Sequence, residues 1–201
     1  MTQVLRLPSR LIRVQLSEPI TDQELLKICA DHRDLHIEQE ADGTLLFMSP
    51  ITNLSGDIEA EFIAVLKNYS REYGGQSYSS QVGFRLPDGS LRSPDACYLN
   101  AEKVAAFTEA DLQSFIHKVP DFVVEVRSKS DSLKALREKM RDTWINNGVR
   151  LGWLVDMKHK RVFIYRSDRE PELVDGFAGE LDGEEVLPGF TFDLGGLVRR
   201  K

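Results

Sequence analysis

The stretch Asp121-Phe122-Val123-Val124-Glu125-Val126-Arg127 decides the fold of this chain. Its apolar residues are β-branched or aromatic, which predicts a strand that is buried on both faces. A carboxylate inside such a strand is costly unless something pairs with it. A serine-rich segment follows at once and predicts a loop and a helix start. Glu125 is therefore expected near the C-terminal end of a buried strand, where α/β sheets carry their sites.

Two interpretations of Glu125 are open on this stretch alone. The side chain is either half of a structural salt bridge, with Arg127 as the candidate partner, or a ligand of a metal ion. Residues elsewhere in the chain are needed to distinguish the salt bridge from the metal ligand.

The composition is ordinary for a globular protein. Of 201 residues, 41% are hydrophobic and 29% are charged. We expect a single domain over residues 1–201, in which 1–50 form an N-terminal helix and hairpin extension, 51–166 the core, and 167–201 C-terminal strands and a tail. The net charge of −6 argues against binding to DNA or to an acidic membrane through a broad positively charged surface.

Targeting and redox signals predict a cytoplasmic protein. No apolar run approaches the length needed to cross a bilayer, and arginines interrupt the apolar residues that a signal peptide would need. Cys29 and Cys97 lie far apart and outside any metal-binding pattern, which is typical of buried thiols in a reducing compartment.

The order of elements predicts a mixed α/β (α+β) fold. Thr21 and Glu24 form a capping box that predicts a helix to about residue 33, and a hairpin is expected around Asp42-Gly43. The pattern then predicts helix, strand, strand, strand, helix and strand, at 54–73, 76–86, 91–99, 121–127, 130–146 and 150–157, with a hairpin partner at 161–166. Such a core has a mixed central sheet flanked by helices.

Three more polar side chains fall at informative positions. Pro94 cannot donate to a sheet ladder, so it predicts a distortion just before Asp95 that re-aims that side chain. Glu59 lies at the rim of the apolar stripe of the first core helix, where spacing alone favours a surface residue whose charged end reaches solvent. Lys139 lies at the flank of the buried stripe of the second core helix.

Asp95 and Glu125 are acids on neighbouring predicted strands. Mg²⁺ takes one or two carboxylates together with waters and substrate phosphate oxygens. Such a cation lowers the pKa of a bound water and shields developing phosphate charge. A nearby lysine can orient or activate the water, or stabilise the transition state. The two acids therefore suggest a metal site, with Glu59 and Lys139 beside it if the helices converge there.

The motifs around these acids resemble the PD-(D/E)XK nuclease superfamily and, more narrowly, the family of putative restriction endonuclease domains found in prokaryotic genomes. The likeness covers nearly the whole chain. The segments that carry it are Ser93-Pro94-Asp95-Ala96 and 121–128 at the expected site, and, along the chain, Met48-Ser49-Pro50, 83–89, 127–133, Lys139-Met140, 148–156 and Leu187-Pro188-Gly189-Phe190.

This resemblance implies a restriction-endonuclease-like core in which Asp95 and Glu125 hold Mg²⁺ or Mn²⁺ and DNA phosphodiester bonds are hydrolysed. It gives Glu59 the place of the first-helix acid or amide that borders the site. Arg127 takes the place of the superfamily's lysine two residues after the glutamate and is counted among the expected catalytic residues, although it stays protonated and cannot act as a base. Lys139 on the next helix could supply the lysine instead.

Other features of the expected site stay open. Lys129 and Lys134 are weaker candidates for the lysine. A homodimer is an expectation by analogy, because cutting both DNA strands needs two sites.

Functions from different classes are also open. One is a Mg²⁺-dependent endodeoxyribonuclease. The other is a non-catalytic nucleic-acid-binding or protein-interaction module that retains the nuclease fold, an alternative motivated by Arg127 and the acidic net charge. A weaker third is a hydrolase that acts on another phosphoester.

Overall fold

The computed structural model describes residues 11–48, 53–128 and 131–198. The strands in these ranges are β1 (Leu11–Val14), β2 (His36–Gln39), β3 (Leu45–Met48), β4 (Gln76–Ser79), β5 (Phe84–Arg85), β6 (Leu91–Arg92), β7 (Ala96–Leu99), β8 (Phe122–Arg127), β9 (Leu151–Asp156), β10 (Arg161–Arg166), β11 (Arg169–Asp175), β12 (Glu180–Asp182) and β13 (Thr191–Asp193). The α-helices are α1 (Asp22–Asp31), α2 (Asn53–Tyr73), α3 (Ala101–Ala105) and α4 (Leu133–Glu138), and a π-helix at Lys139–Ile145 continues α4. Short 3₁₀ turns lie at Asp111–Gln113 and Leu194–Leu197.

The central sheet is mixed, as the sequence predicts. Its strand order is β11-β10-β9-β8-β7-β4. The pair β8 and β9 is parallel and every other neighbouring pair is antiparallel. Parallel neighbours need a crossover connection, and α4 with its π-helical continuation provides it.

Both faces of β8 are covered, which explains why its sequence is almost continuously apolar. On one face, Phe122 and Val124 join a core that contains Ile58, Phe62 and Leu66 of α2. On the other face, Val123 joins a second core that contains Met140 and Trp144 of the π-helix. Trp144 and Trp153 are both fully buried, as expected from their apolar surroundings.

The predicted hairpin of strands 76–86 and 91–99 is confirmed in its antiparallel pairing, β4 with β7 and β5 with β6, but neither strand is continuous. Each predicted strand breaks in two: β4 and β7 belong to the central sheet, whereas β5 and β6 belong to a second sheet of order β1-β3-β2-β6-β5. The chain passes from the second sheet to the central sheet at residues 93–95. Pro94 has no N–H for a ladder, and the amide of Ser93 donates to a side chain, Glu38 Oε1, at 3.0 Å. The predicted distortion before Asp95 is therefore confirmed as a change of sheet.

Local helix signals are confirmed. Thr21 Oγ1 accepts from the amide of Glu24 at 3.3 Å, and the Glu24 carboxylate accepts from the amide of Thr21 at 2.9 Å, so the capping box is formed. Of the two candidate caps of the second core helix, Ser130 and Ser132, Ser132 is the N-cap of a helix that starts at Leu133 and that continues as the π-helix, which the sequence does not predict. Ser49, Pro50, Lys129 and Ser130 lie outside the described residues. No helix in the described ranges has the length and apolarity that a membrane span requires.

Candidate functional site

Glu125 lies near the C-terminal end of β8 and is 3% exposed. Its Oε1 accepts one hydrogen bond from Lys139 Nζ at 2.7 Å and another from Trp144 Nε1 at 2.8 Å. The expectation that Arg127 would be its partner is wrong, because the ion pair forms with Lys139 across the face of the sheet. The two donors hold the Glu125 carboxylate in one orientation.

The π-helix brings Lys139 and Trp144 to the same carboxylate oxygen. In an α-helix, residues five apart are separated by about 140° around the axis, because each residue turns about 100°. In a π-helix the hydrogen bonds run between residues five apart, so these residues lie on one side. Asn146 N donates to Arg141 O at 2.9 Å in this pattern. Lys139 Nζ also lies 5.8 Å from the centre of the Trp144 ring.

Asp95 lies beside Glu125 on the neighbouring strand. The antiparallel register pairs Ala96 with Val124, so the next position places Asp95 opposite Glu125. Its Oδ2 accepts from the amide of Val126 at 2.6 Å, and this is the hydrogen bond that the described residues make to its carboxylate. Asp95 is partly buried. The change of sheet at Pro94 is what frees this side chain from a regular ladder position.

Glu59 is buried rather than exposed, so the expectation of a surface side chain is wrong. It is 8% exposed, in the N-terminal part of α2, and its charge interacts with those of Glu125 and Asp95. Spacing alone could not reveal this, because the rim of an apolar stripe is solvated on an isolated helix and covered where the helix crosses a sheet.

Burial, with a contribution from neighbouring acids, raises the pKa values of this cluster. Burial and then the charge of Glu125 raise the pKa of Glu59 to about 7. Burial, then Glu125 and Glu59, raise the pKa of Asp95 well above its ordinary value, against the opposing effects of Lys139 and the Val126 amide. Burial also raises the pKa of Glu125, although the charge and hydrogen bond of Lys139 oppose it. Like charges this close disfavour simultaneous ionisation, so the cluster favours uptake of a proton or another cation.

Lys139 is held as an ammonium ion. Burial acts to lower its pKa, but the negative charges of Glu125, Glu38 and Asp95 outweigh burial and raise that pKa. Its side chain therefore supplies a fixed positive charge next to the acids.

Glu38 on β2 belongs to the same cluster and was missed in the sequence. It is 3% exposed, accepts from Arg92 Nη1 and the Ser93 amide at 3.0 Å each, and lies 3.8 Å from Lys139 Nζ. Its sequence signal is the same as that of Glu125, a carboxylate inside a predicted strand. Sequence patterns alone place β2 in an N-terminal extension and do not connect it to the core.

Arg127 is engaged elsewhere. Its Nη1 donates to Asp156 Oδ2 at 2.9 Å, and its Nε donates to the carbonyl of Asp131 at 3.1 Å. Asp156 is fully buried and also binds His159 Nδ1 at 2.7 Å. Arg127 thus neutralises a buried acid and binds the backbone of Asp131.

Of the weaker lysine candidates, the structure describes only Lys134, which points away from the acids. The Lys134 side chain is 85% exposed and pairs with Glu138 at 3.9 Å, and Lys129 is not described.

The residues present fit a magnesium-type ion better than zinc. The described ranges contain no group of three or more His, Cys, Asp or Glu side chains that could already hold a metal ion. Mg²⁺ needs only one or two carboxylates, since it keeps several waters. Asp95 and Glu125 provide two, and burial raises the pKa values of both, so a bound cation would favour their ionised forms.

A mixed sheet with α2 on one face and α4 on the other, and with acids at one end of its central strands, defines a restriction-endonuclease-like fold. A family model, Uma2, described as putative restriction endonuclease, matches residues 22–195. The chain therefore belongs to this family, and the family resemblance seen in its motifs is confirmed.

A solved structure supports the fold independently. The crystal structure of a putative nuclease belonging to DUF820 from Anabaena variabilis ATCC 29413 is similar, with a TM-score of 0.69. It is 19% identical in sequence, and the match covers 90% of this chain and 98% of that chain. At this identity the likeness shows the fold alone. No curated protein matches the sequence.

Proposed function

We propose that this protein is a divalent-metal-dependent endonuclease that hydrolyses DNA phosphodiester bonds. One observation carries the proposal: Lys139 Nζ is 2.7 Å from Glu125, and Asp95 accepts a hydrogen bond at 2.6 Å from the amide of Val126, the residue after Glu125. Two acids with a cation beside them, at one end of the central strands of a nuclease-like sheet, suit the chemistry of phosphate hydrolysis. Membership of a putative restriction endonuclease family supports DNA as the substrate.

Asp95 and Glu125 would hold the metal ion. The Val126 amide fixes one oxygen of Asp95, and Lys139 and Trp144 together fix one oxygen of Glu125. Each carboxylate thus keeps a second oxygen without a hydrogen bond from the described residues. When bound, Mg²⁺ or Mn²⁺ would supply activation of water and shielding of phosphate charge.

The remaining site residues would act through their charges. The Lys139 ammonium would orient the attacking water and stabilise the negative charge that develops on the phosphate. Glu59 lies beside both acids and would adjust the charge of the site by gaining or losing one proton. A homodimer would bring two such sites to the two strands of a duplex.

The test compares the purified wild-type chain with Asp95→Asn and Glu125→Gln on plasmid DNA in Mg²⁺ or Mn²⁺. We expect each variant to lose at least about a hundredfold in cleavage rate, because each removes a charge that acts in the transition state. Glu185→Gln is the matched control, since Glu185 is a highly exposed acid paired with Arg150 away from the site, and we expect it to cleave like the wild type. Equal cleavage by the wild type and both site variants, or none by the wild type, would refute the proposal.

Metal titration by calorimetry addresses the non-catalytic alternative. A nuclease takes up Mn²⁺ through Asp95 and Glu125, and both substitutions weaken that uptake. A binding module that only retains the fold has no need of the ion, so uptake that ignores both substitutions would favour it.

A further inference from the structure

Glu38 is a buried carboxylate that connects two parts of the candidate site. Its Oε2 accepts from Arg92 Nη1, and its Oε1 accepts from the Ser93 amide and lies 3.8 Å from Lys139 Nζ. Arg92 ends β6, and Ser93 begins the passage of the chain toward Asp95. One side chain thus contacts both the segment that carries Asp95 and the ammonium group beside Glu125.

The carboxylate of Glu38 is ionised in spite of its burial. Burial acts to raise its pKa, but Lys139, Arg92 and the Ser93 amide outweigh it, so the pKa lies below the ordinary value. A buried charge is retained only where partners and hydrogen bonds compensate for lost hydration. Glu38 has both, and one of its partners is the candidate catalytic lysine.

Lys139 lies between two carboxylates. Its Nζ is 2.7 Å from Glu125 and 3.8 Å from Glu38. An ammonium ion with a single acidic partner would compete with any cation that approaches that partner. The carboxylate of Glu38 gives the ammonium group a second partner and keeps it near the site.

We propose that Glu38 is a positioning residue, which sets the place of Lys139 Nζ relative to Glu125 and anchors the Ser93 turn that delivers Asp95. The proposal rests on the proposed function for its catalytic consequence. Its structural consequence, the placement of Lys139, does not depend on cleavage. The second sheet then completes the site, since Glu38 reaches it from β2.

Three variants test separately the charge, the length and the position of the Glu38 side chain. Glu38→Gln keeps the size of the side chain and an acceptor for the Ser93 amide, but it loses the charge. Glu38→Asp keeps the charge on a shorter side chain. Glu40→Gln is the matched control, because Glu40 follows the same strand and lies 3.9 Å from Arg92 Nη2, but has no contact with Lys139 among the described residues.

The first measurement needs neither metal nor DNA. The side-chain ammonium signal of Lys139 is recorded by ¹H–¹⁵N NMR in metal-free protein and assigned by its loss in Lys139→Met. We expect Glu38→Gln to shift or broaden this signal, Glu38→Asp to have a smaller effect, and Glu40→Gln to leave it unchanged. If Glu38→Gln does not fold, Glu38→Asp is compared with Glu40→Gln in the same way. A Lys139 signal that is the same in Glu38→Gln as in the wild type would overturn the proposal.

The second measurements address function. We expect Glu38→Gln to weaken Mn²⁺ binding by about 10- to 100-fold, as substitutions of groups that orient metal ligands do. The single-turnover cleavage rate should fall by a similar factor, with DNA affinity changed less than about twofold, since Glu38 acts through Lys139 and Asp95. In a Lys139→Met background, Glu38→Gln should cost much less than it does in the wild type, because residues that act as a unit are non-additive.

The outcomes separate the two proposals. A wild type that does not cleave DNA, combined with a Lys139 signal that responds to Glu38→Gln, refutes the proposed function and leaves the positioning role standing. A cleaving wild type whose rate and Lys139 signal both ignore Glu38→Gln supports the function and overturns the role of Glu38. A rate loss that is fully additive with Lys139→Met would overturn the action of Glu38 through Lys139.

Discussion

Glu59 makes the stability of the metal-free protein depend on pH. Its pKa is raised from 4.5 to about 7, by burial first and then by Glu125. Below pH 4.5 the side chain is protonated in both the folded and the unfolded chain, and its contribution to stability is fully present. As pH rises toward about 7, the unfolded chain loses the proton while the folded chain keeps it, so this contribution is lost.

The size of this effect on the free energy of unfolding follows from the shift in the pKa of Glu59. At about 1.4 kcal/mol per pKa unit, a rise from 4.5 to about 7 corresponds to about 3 kcal/mol. Screening by solvent reduces this free energy to about 2 kcal/mol. Glu59→Gln removes the titrating group, so the variant should be more stable than the wild type by about 2 kcal/mol at pH 8. Near pH 4 the two should differ little.

Urea unfolding at pH 4, 6 and 8 in the presence of EDTA measures this difference. The comparison at each pH cancels the titration of groups that both proteins share. Glu61→Gln, on the same helix but only partly buried, is the matched control and should follow the wild type. A difference between wild type and Glu59→Gln that stays constant from pH 4 to pH 8, or that grows in favour of the wild type, would refute the electrostatic account of this cluster.

Two further predictions concern the neighbours of Glu125. Arg127→Ala should lower the free energy of unfolding by about 3 kcal/mol, because the fully buried Asp156 loses its arginine partner and keeps His159 as its remaining partner among the described residues; a loss below about 1 kcal/mol in urea unfolding would contradict this. Mg²⁺ should change the fluorescence of Trp144, whose indole N–H donates to Glu125; the change should vanish in Trp144→Phe and persist in Trp153→Phe, and persistence in both would place the ion elsewhere.

Elements with local signals could be predicted from the sequence. The apolar stretch of β8, the capping box at Thr21 and the stripe of α2 each depend on residues a few positions apart, and each forms as expected. The break at Pro94 was also predictable, since proline removes a ladder donor whatever the tertiary context.

Features that depend on distant partners could not be predicted. The side chain of Glu38 is stabilised by Arg92, 54 positions away in sequence, and by Lys139 beyond it. The π-helix has no local signal, since Lys139 and Trp144 meet only because both contact Glu125. Arg127 was placed on the correct face by strand alternation, but its choice of Asp156 over Glu125 depends on the neighbouring parallel strand β9.

The passage of the chain between two sheets at residues 93–95 limits how this protein can be cut or recombined. A fragment starting at residue 51 would lack Glu38 and the strand that pairs with Leu91. The Arg92 side chain, which is 13% exposed, would then lack the Glu38 carboxylate as its partner. Chimaeras between relatives would therefore have to exchange residues 36–48 together with 84–95, because a junction between these segments would separate the two ends of one ion pair.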